Sequence, residues 1–263
     1  MAGFSFRGTL KMKRIIYLLL LLSICFLGGN AQGIMMPGPG TVHSVVLAAP
    51  IPIAVGVADE THGVTGAVPT IPAGTVANDV MVMFVATRDE AITVSGWTEA
   101  PSSPSSQPGG MFGNHRLTVF WKRAVGSDPA PTTSATASGQ LAQILSVRGC
   151  TTSGNPFDAT SSSQTTNSSL TATIPGVTTT VPNTLVLYSL NIYPGSTSDF
   201  NGWFSGWTNA GLTSVTEWMD RTKQVGGFGM ASGGWATTGA AGNMTVTVAN
   251  NMDKAYWAGA LKP

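Results

Sequence analysis

Four aromatic residues in predicted loops are the side chains of this sequence best suited to bind a ligand. Trp97, Trp203 and Trp207 each follow a glycine, and Tyr193 precedes a Pro-Gly turn. An exposed indole is a flat apolar surface with one polar N–H, and it can stack on the apolar face of a sugar ring. This pattern predicts a glycan-binding site. The alternative is that the tryptophans cap the core at one end of the fold.

Carboxylates are the second group of candidates, because glycoside hydrolysis uses two of them about 5–9.5 Å apart. The acids nearest the predicted aromatic loops are Asp89, Glu90, Glu99 and Glu217. Asp59 and Glu60 lie in a predicted turn, where they could hold Ca²⁺ together with backbone carbonyls. Most other acids have turn settings, such as Asp128 before a proline, which favours a protein that is not an enzyme.

The sequence offers little for other chemistry. His43, His62 and His115 are far apart, and none has metal-ligand spacing with a second His or Cys. There is no Gly-x-Ser-x-Gly motif, Walker loop or dinucleotide fingerprint, so no cofactor is predicted. Cys150 follows the last strand of the first half and is predicted to be a small buried side chain.

The N-terminus has the pattern of a secretory signal peptide. Basic residues precede an apolar run, Ile15–Leu27, and small residues then end at Ala31. This predicts cleavage after Ala31 and export to the extracellular space or the cell surface. The run is too short for a typical membrane helix, which needs about 20 apolar residues. Lipid attachment at Cys25 is an alternative, and residues 32–54, rich in Gly, Pro and Ala, are interpreted as a spacer.

Charge excludes one class of partner. The chain has 13 basic and 12 acidic residues, and four basic residues leave with the signal peptide, so nine against twelve gives a mature net charge of −3. Without a basic patch, nucleic acid is not an expected partner. Cys150 is the only cysteine of the mature chain, so an intrachain disulfide is excluded.

A repeated segment organises the predicted fold. Thr70-Ile71-Pro72 and Thr173-Ile174-Pro175 are 103 residues apart, and each precedes an apolar run, Val80–Ala86 or Leu185–Leu190. Such runs, bounded by Asn, Asp and Pro, are typical of buried strands. We predict that the two runs are equivalent central strands. Alignment of Phe84 with Tyr188 requires one inserted residue.

Short strands separated by turn residues continue along both halves. They predict an all-β fold: a jelly-roll-like antiparallel β-sandwich built from two pseudo-repeated halves, about 55–150 and 170–263, in one domain over 55–263. Thr151–Ser169 is interpreted as a polar crossover between the halves. The tryptophans in predicted strands, expected to be mostly core, are Trp121, Trp218, Trp235 and Trp257.

From Val55 to Pro263 the order of motifs resembles a known class of domain. Its elements include Ile-Pro-Ala-Gly, Gly-Trp, Leu-Thr-Val-Phe-Trp-Lys-Arg-Ala and Asn-Pro-Phe-Asp. This order resembles a β-sandwich domain common in uncharacterised secreted bacterial and phage structural proteins. The resemblance implies a fold and no catalytic residues. The signal peptide favours the cell-surface relatives over the virion proteins.

The sequence therefore predicts a secreted, non-enzymatic structural or adhesive surface protein. The alternatives are a carbohydrate-binding module that uses the loop tryptophans, a phage-derived virion or tail structural protein, and a glycoside hydrolase. The expected partners are glycans or other copies of the chain. Copies could join by strand addition at a free sheet edge, with Gln32–Pro52 as the donated segment.

Overall fold

The computed structural model describes residues 48–58, 61–107, 114–166, 169–193, 201–223 and 226–263. These residues form seventeen strands and no helix, which confirms the predicted all-β fold. They contain no helix long and apolar enough to cross a membrane. The predicted signal peptide, Cys25, His43 and the proposed calcium pair Asp59 and Glu60 lie outside the described residues.

The first half of the chain forms one antiparallel sheet, sheet I. Its strands are β1 (Ile53–Val57), β2 (Thr61–Gly63), β3 (Val80–Thr87), β4 (Thr98–Glu99), β5 (Ser105–Gln107), β6 (His115–Arg123) and β7 (Gln140–Arg148). The order across the sheet is β1-β7-β3-β6-β4, with β2 paired to β7 and β5 paired to β6. The predicted central strand, β3, therefore lies in the middle of its sheet.

The second half supplies the remaining strands. They are β8 (Phe157–Thr165), β9 (Thr171–Ile174), β10 (Thr178–Thr179), β11 (Thr184–Ile192), β12 (Phe204–Thr208), β13 (Thr213–Lys223), β14 (Gly226–Trp235), β15 (Gly239–Ala240), β16 (Met244–Val248) and β17 (Lys254–Leu261). Sheet II has the order β8-β17-β11-β14-β13, and sheet III has the order β12-β16-β9. The short strands β10 and β15 pair with each other.

The two large sheets share one pairing scheme. In each, the earliest strand is at one edge, the last strand pairs with it, and β3 or β11 occupies the centre. The penultimate long strand, β6 or β14, follows on the other side of the centre. This correspondence agrees with the predicted pseudo-repeat of two halves. Each half keeps its main long strands within one sheet.

Sheets I and II pack face to face around a shared core. Alternate residues of β3, including Phe84, meet Leu187 of β11, Phe228 of β14 and Trp257 of β17. The Phe84 ring centroid lies 6.0 Å from that of Trp257, nearly edge-on, and 6.3 Å from that of Phe228. Such aromatic pairs stabilise a core beyond the area that they bury.

The predicted register between the two central strands is wrong by one residue. Phe84 faces the shared core, whereas Tyr188 faces the opposite side of sheet II. Side chains alternate between the two faces of a strand, so residues that share a face need a different offset. Leu187 lies 103 residues after Phe84, the spacing of the two Thr-Ile-Pro motifs, and it does face the shared core.

Sheet III covers the outer face of sheet II and encloses a second core. Tyr188 and Leu190 of β11 meet Phe204, Met244 and Val246 there. The Tyr188 hydroxyl donates to the Gly242 carbonyl at 2.8 Å, and burial raises the pKa of Tyr188 to about 12. The outer face of sheet I is covered differently, by loop residues such as Ile92 and Val94 that pack on Met83.

Two predicted boundaries are corrected. The segment interpreted as a polar crossover contains β8, which pairs with β17 from Lys254 and Thr165 to Leu261 and Phe157. A Ser- and Thr-rich strand can form there because an edge strand needs only one partner, and most of β8 stays partly exposed. The predicted spacer likewise ends in strand β1, which begins at Ile53 opposite Arg148.

The Phe84→Ala variant is expected to lose about 3–5 kcal/mol of unfolding free energy, because the substitution removes a fully buried ring and leaves a cavity. Denaturant melts measure this loss. The matched control is Val125→Ala, since Val125 is 68% exposed, and it should change stability little. Equal losses in the two variants would contradict the assignment of Phe84 to the shared core.

Candidate functional site

Two of the four predicted ligand-binding aromatics are buried in the second core. Trp203 and Trp207 are each 8% exposed, and they pack with Phe204 against β11 and β14. Trp207 lies in strand β12, so the prediction that it lies in a loop is wrong. A ring with so little exposed area has no free face on which a sugar could stack.

The other two aromatics lie in different places. Trp97 is partly exposed and packs on the outer cluster of sheet I, and its backbone N–H donates to the Val94 carbonyl at 3.2 Å. Tyr193 follows β11, where the Arg88 guanidinium lies 4.5 Å from the ring centroid and donates to the Tyr193 hydroxyl. The structure therefore does not bring Trp97, Trp203, Trp207 and Tyr193 together in one cleft.

Gly229 of β14 makes the burial of the two β12 aromatics possible. A Cβ at this position would lie 2.7 Å from the Phe204 ring and 2.9 Å from the Trp207 ring, closer than carbon atoms approach in folded proteins. The glycine lies opposite Leu190 in the sheet, under the crossing of β12. The rings of Phe204 and Trp207 occupy the space that a side chain at position 229 would fill.

Asp220 of β13 attaches β12 to sheet II. Its carboxylate accepts the backbone N–H groups of Gly202 at 2.7 Å, Trp203 at 3.0 Å and Phe204 at 3.4 Å. Burial raises the pKa of Asp220, although these hydrogen bonds and Arg221 lower it in part. The carboxylate therefore has a structural use at the start of β12.

Glu217 lies on the same strand and is the acid closest in character to a catalytic group. Glu217 is exposed as a residue, but partial burial of its carboxyl raises its pKa, and the charge of Asp220 raises it further. The Trp207 indole N–H lowers the pKa of Glu217 in part, although the geometry falls short of a regular hydrogen bond. The pKa values of Glu217 and Asp220 are both raised. The Asp220 carboxylate, however, mainly accepts hydrogen bonds from backbone N–H groups.

The acids predicted for hydrolysis are not assembled. Asp89 and Glu90 follow β3, where Asp89 accepts from the Ser106 hydroxyl and Glu90 accepts the Ser138 N–H at 2.8 Å. Glu99 belongs to β4, at the edge of sheet I, and Glu217 belongs to β13, at the edge of sheet II. These acids lie on different sheets or at different ends of strands.

Metal and thiol chemistry find no support among the residues described. They contain no group of three or more His, Cys, Asp or Glu side chains that could hold a metal ion. Cys150 is 5% exposed, which confirms the predicted small buried side chain, and burial raises the pKa of its thiol to about 12. The thiol is therefore protonated at neutral pH and is a poor nucleophile.

A groove at the open side of the sandwich is the strongest candidate site. It lies where β1 at the edge of sheet I faces β13 at the edge of sheet II, and its volume is about 270 Å³. We call it the Trp218 groove. Its lining residues are Ile51, Pro52, Ile53, Ala54, Leu185, Thr213, Ser214, Thr216, Trp218, Ser232 and Gly234.

The lining of the Trp218 groove combines an indole with hydroxyl groups and carries no charge. The Trp218 indole N–H donates to the Ser232 hydroxyl at 2.9 Å, which fixes the orientation of the ring. Trp218 is only partly buried against the shared core, and Thr213 and Thr216 beside it are exposed. Such a site suits a neutral ligand that has an apolar face and several hydroxyls.

The sequence predicted that Trp218 lies mostly in the core. One feature of the sequence does indicate that Trp218 lies near a sheet edge. The residues before it in β13 are mostly polar, which is typical of an edge strand. An irregularity in pairing between Glu217 and Met219 turns Trp218 toward the inner side of this edge. Such a β-bulge re-aims a side chain, and the sequence does not mark its position.

Part of the segment predicted to be donated to another copy lies along this groove. The Ala49 carbonyl accepts from the Asn183 side-chain amide at 2.8 Å. A Cβ at Gly234 would lie 3.0 Å from the Ile51 side chain, so that side chain rests directly on β14. Ala48–Pro52 thus packs on the sandwich of its own chain.

The Gly229→Ala variant is expected to lose about 1–3 kcal/mol of stability, because the added methyl group forces Phe204 and Trp207 out of place. The matched control is Gly56→Ala, whose new methyl would make an ordinary contact 3.5 Å from the Ala73 carbonyl oxygen. Thermal and denaturant melts compare the two. Similar stability of both variants would show that β12 does not pack against β14.

The Glu217→Gln variant should gain stability relative to the wild type as the pH rises. The folded state raises the pKa of Glu217 above its ordinary value near 4.5, so its favourable contribution is present at lower pH and is lost as the pH rises through the raised pKa. Denaturant melts of the wild type and the variant across this pH range measure the difference.

Glu90→Gln is the control of opposite sign. Burial raises the pKa of Glu90, but hydrogen bonds from Ala137 and Ser138 outweigh it, and the net effect is a lowered pKa. The Glu90→Gln variant should be less stable than the wild type at pH values above 4.5, the ordinary pKa of a glutamate. Parallel behaviour of the two variants would contradict the assigned environments.

Comparison of the chain with known proteins finds no relative. No family model, curated protein or solved structure matches the chain. The resemblance to secreted bacterial and phage structural domains therefore stays a prediction.

Proposed function

We propose that this protein is a secreted, non-enzymatic adhesive β-sandwich that binds a neutral glycan in the Trp218 groove. The observation that carries the proposal is a partly exposed indole, fixed by a hydrogen bond to Ser232, in a groove with exposed hydroxyls and no charge. This proposal keeps the predicted carbohydrate ligand. It moves the site from Trp97, Trp203 and Trp207 to the edge of the sandwich.

Each part of the groove has a use in sugar binding. The indole face of Trp218 offers an apolar surface for the C–H groups of a pyranose ring. The Thr213 and Thr216 hydroxyls donate to the Gly234 and Ser214 carbonyls, so they can accept from sugar hydroxyls, and the Ser214 hydroxyl can donate or accept. The volume of about 270 Å³ lies near the lower end of small-molecule sites, which suits one ring of a longer chain.

The position of the groove fits a polymer rather than a free sugar. It lies between two sheet edges, β1 and β13, so a chain can enter and leave along the side of the sandwich. Ile53, which lines it, is 59% exposed and extends the apolar surface outward. Adhesion to a polysaccharide needs such an open groove, because the polymer cannot thread into a closed cavity.

The lining favours binding without hydrolysis. None of the groove residues is an acid, whereas glycoside hydrolysis requires a carboxylic acid and usually a second carboxylate at the scissile bond. Asp220, whose charge raises the pKa of Glu217, accepts hydrogen bonds from backbone N–H groups at the start of β12. The hydrolase alternative is therefore the weaker proposal.

Titration of the mature protein with neutral polysaccharides tests this proposal, with tryptophan fluorescence as the signal. The wild type should respond equally at low and high salt, because stacking on an indole involves no ion pair that salt could screen. The Trp218→Ala variant should lose the response. Thermal melts should show that the variant remains folded, since Trp218 only borders the shared core.

Trp97→Ala is the matched control, because Trp97 is also partly exposed but packs on the opposite side of sheet I. It should bind like the wild type. A response that depends on Trp97 and not on Trp218 would move the site to the outer cluster of sheet I. Absence of a response to every neutral polysaccharide, or one that disappears at high salt, would refute the proposed ligand class.

A further inference from the structure

A second cavity lies at the side of the fold where the edges of sheets II and III meet. It is lined by Thr165 of β8, Thr171 and Thr173 of β9 and Tyr256 of β17, and its volume is about 160 Å³. We call it the Tyr256 cavity. Strand β8 is an edge strand of sheet II and β9 is an edge strand of sheet III, so the cavity opens to the side.

Strand geometry directs the threonines to this opening. The residues on either side of Thr173 are fully buried in the second core, so Thr171 and Thr173 lie on the outer side of β9. Thr165 lies opposite Lys254, which is two residues before Tyr256. Residues two apart share one face of a strand, so Thr165 and Tyr256 are on the same face of sheet II.

Tyr256 is the residue that points to a ligand. Its ring packs in the second core, and only 5% of the residue is exposed. Its hydroxyl makes no hydrogen bond to any residue that the structure describes, yet it is not sealed from solvent. Since the accessible part of Tyr256 borders the cavity, the hydroxyl reaches it. The Tyr188 hydroxyl in the same core, by contrast, donates to the Gly242 carbonyl.

A largely buried hydroxyl without a partner costs free energy, which a ligand that accepts its hydrogen bond would recover. Burial raises the pKa of Tyr256, so the phenol keeps its proton at neutral pH and can donate. The Thr171 and Thr173 hydroxyls also make no hydrogen bond within the described part of the chain, and each can donate and accept. The threonine methyl groups add apolar surface beside these polar atoms.

The lining of the Tyr256 cavity does not suit an ion. None of the four lining residues carries a charge. Lys254, opposite Thr165, directs its ammonium group to the Ser169 carbonyl at 2.8 Å and the Met252 carbonyl at 2.6 Å. An anion would therefore meet no charged side chain in the lining, and a metal ion would find no carboxylate, imidazole or thiolate. The lining favours a neutral ligand that has several hydroxyls.

We propose that the Tyr256 cavity binds one ring of a neutral sugar. Its volume is below the roughly 300–1,000 Å³ of sites that hold a whole drug-sized ligand, which suits a single ring or a side branch. The Tyr256 hydroxyl donates to a sugar oxygen at the inner end. The Thr171 and Thr173 hydroxyls bind the outer side of the ring, and their methyl groups contact its C–H groups.

This site is distinct from the Trp218 groove. The groove lies at the β13 edge of sheet II, whereas the Tyr256 cavity lies at the β8 edge, on the opposite side of that sheet. A protein with both sites can hold two glycan chains, or two parts of one chain, with a gain in avidity. That gain rests on the proposed function of the groove, but sugar binding in the cavity does not.

NMR titration of the mature protein, labelled at its threonine methyl groups, tests the inference. The probes are glucose, galactose, mannose and N-acetylglucosamine, each added alone in large excess. At least one of them should produce saturable shifts of the Thr171 and Thr173 methyl signals. The same shifts should occur in the Trp218→Ala variant, so failure of the groove proposal leaves this result unchanged.

Tyr256→Phe removes only the hydroxyl at the inner end of the cavity. It should weaken binding about two- to tenfold, the effect of one lost neutral hydrogen bond. Thermal melts should show no loss of stability, because this hydroxyl has no partner among the described residues. Thr173→Val, which replaces a hydroxyl with a methyl group of similar size, should weaken binding to a similar extent.

Thr247→Val is the matched control, since Thr247 is an exposed residue of sheet III that does not line the cavity. It should bind like the wild type. Absence of methyl shifts with all four sugars would overturn the inference, as would wild-type affinity in Tyr256→Phe. A clear loss of stability in Tyr256→Phe would also overturn it, because the hydroxyl would then serve the fold rather than a ligand.

Discussion

Burial of the two central strands on both faces is the constraint on which the rest of this structure depends. Every residue of β3 and of β11 is buried. The backbone of such a strand must be paired on both edges, and its side chains need a layer on each side. Strands β6 and β7 pair with β3, and β14 and β17 pair with β11. The contact between sheets I and II covers one face of each central strand.

The remaining face of each central strand is covered in a different way, and this difference gives the halves different surfaces. Loops with Ile92, Val94 and Trp97 cover the outside of sheet I. A third sheet covers the outside of sheet II, and it brings Trp203 and Trp207 into the second core. Gly229 and Asp220 adapt sheet II to this layer, the first by leaving space for rings and the second by holding the start of β12. The tryptophans that resemble a binding site in the sequence are thus used to close the fold.

Low charge links the two candidate surfaces. Only 10% of the chain is charged, and the residues that line the Trp218 groove and the Tyr256 cavity carry no charge. Surfaces of this kind gain little from long-range attraction, so recognition depends on stacking and hydrogen bonds at short range. The groove offers one indole and a few hydroxyls at a sheet edge, whereas the cavity offers threonine hydroxyls and a largely buried tyrosine. Neutral partners with several hydroxyls suit both.

The sequence by itself determined the all-β class and the central strands, because apolar runs of this length bounded by turn residues are typical of buried strands. It also determined that Cys150 is the only cysteine after Cys25, which follows from the residue counts. Only the tertiary structure decided which face each aromatic residue takes: Phe84 and Tyr188 point to different cores, since a shift of one residue reverses every side chain. Strand β8 escaped prediction because an edge strand is held by hydrogen bonds to β17 and needs few apolar residues. The Trp218 groove and the Tyr256 cavity depend on which strands become neighbours, and no local pattern in the sequence encodes that pairing.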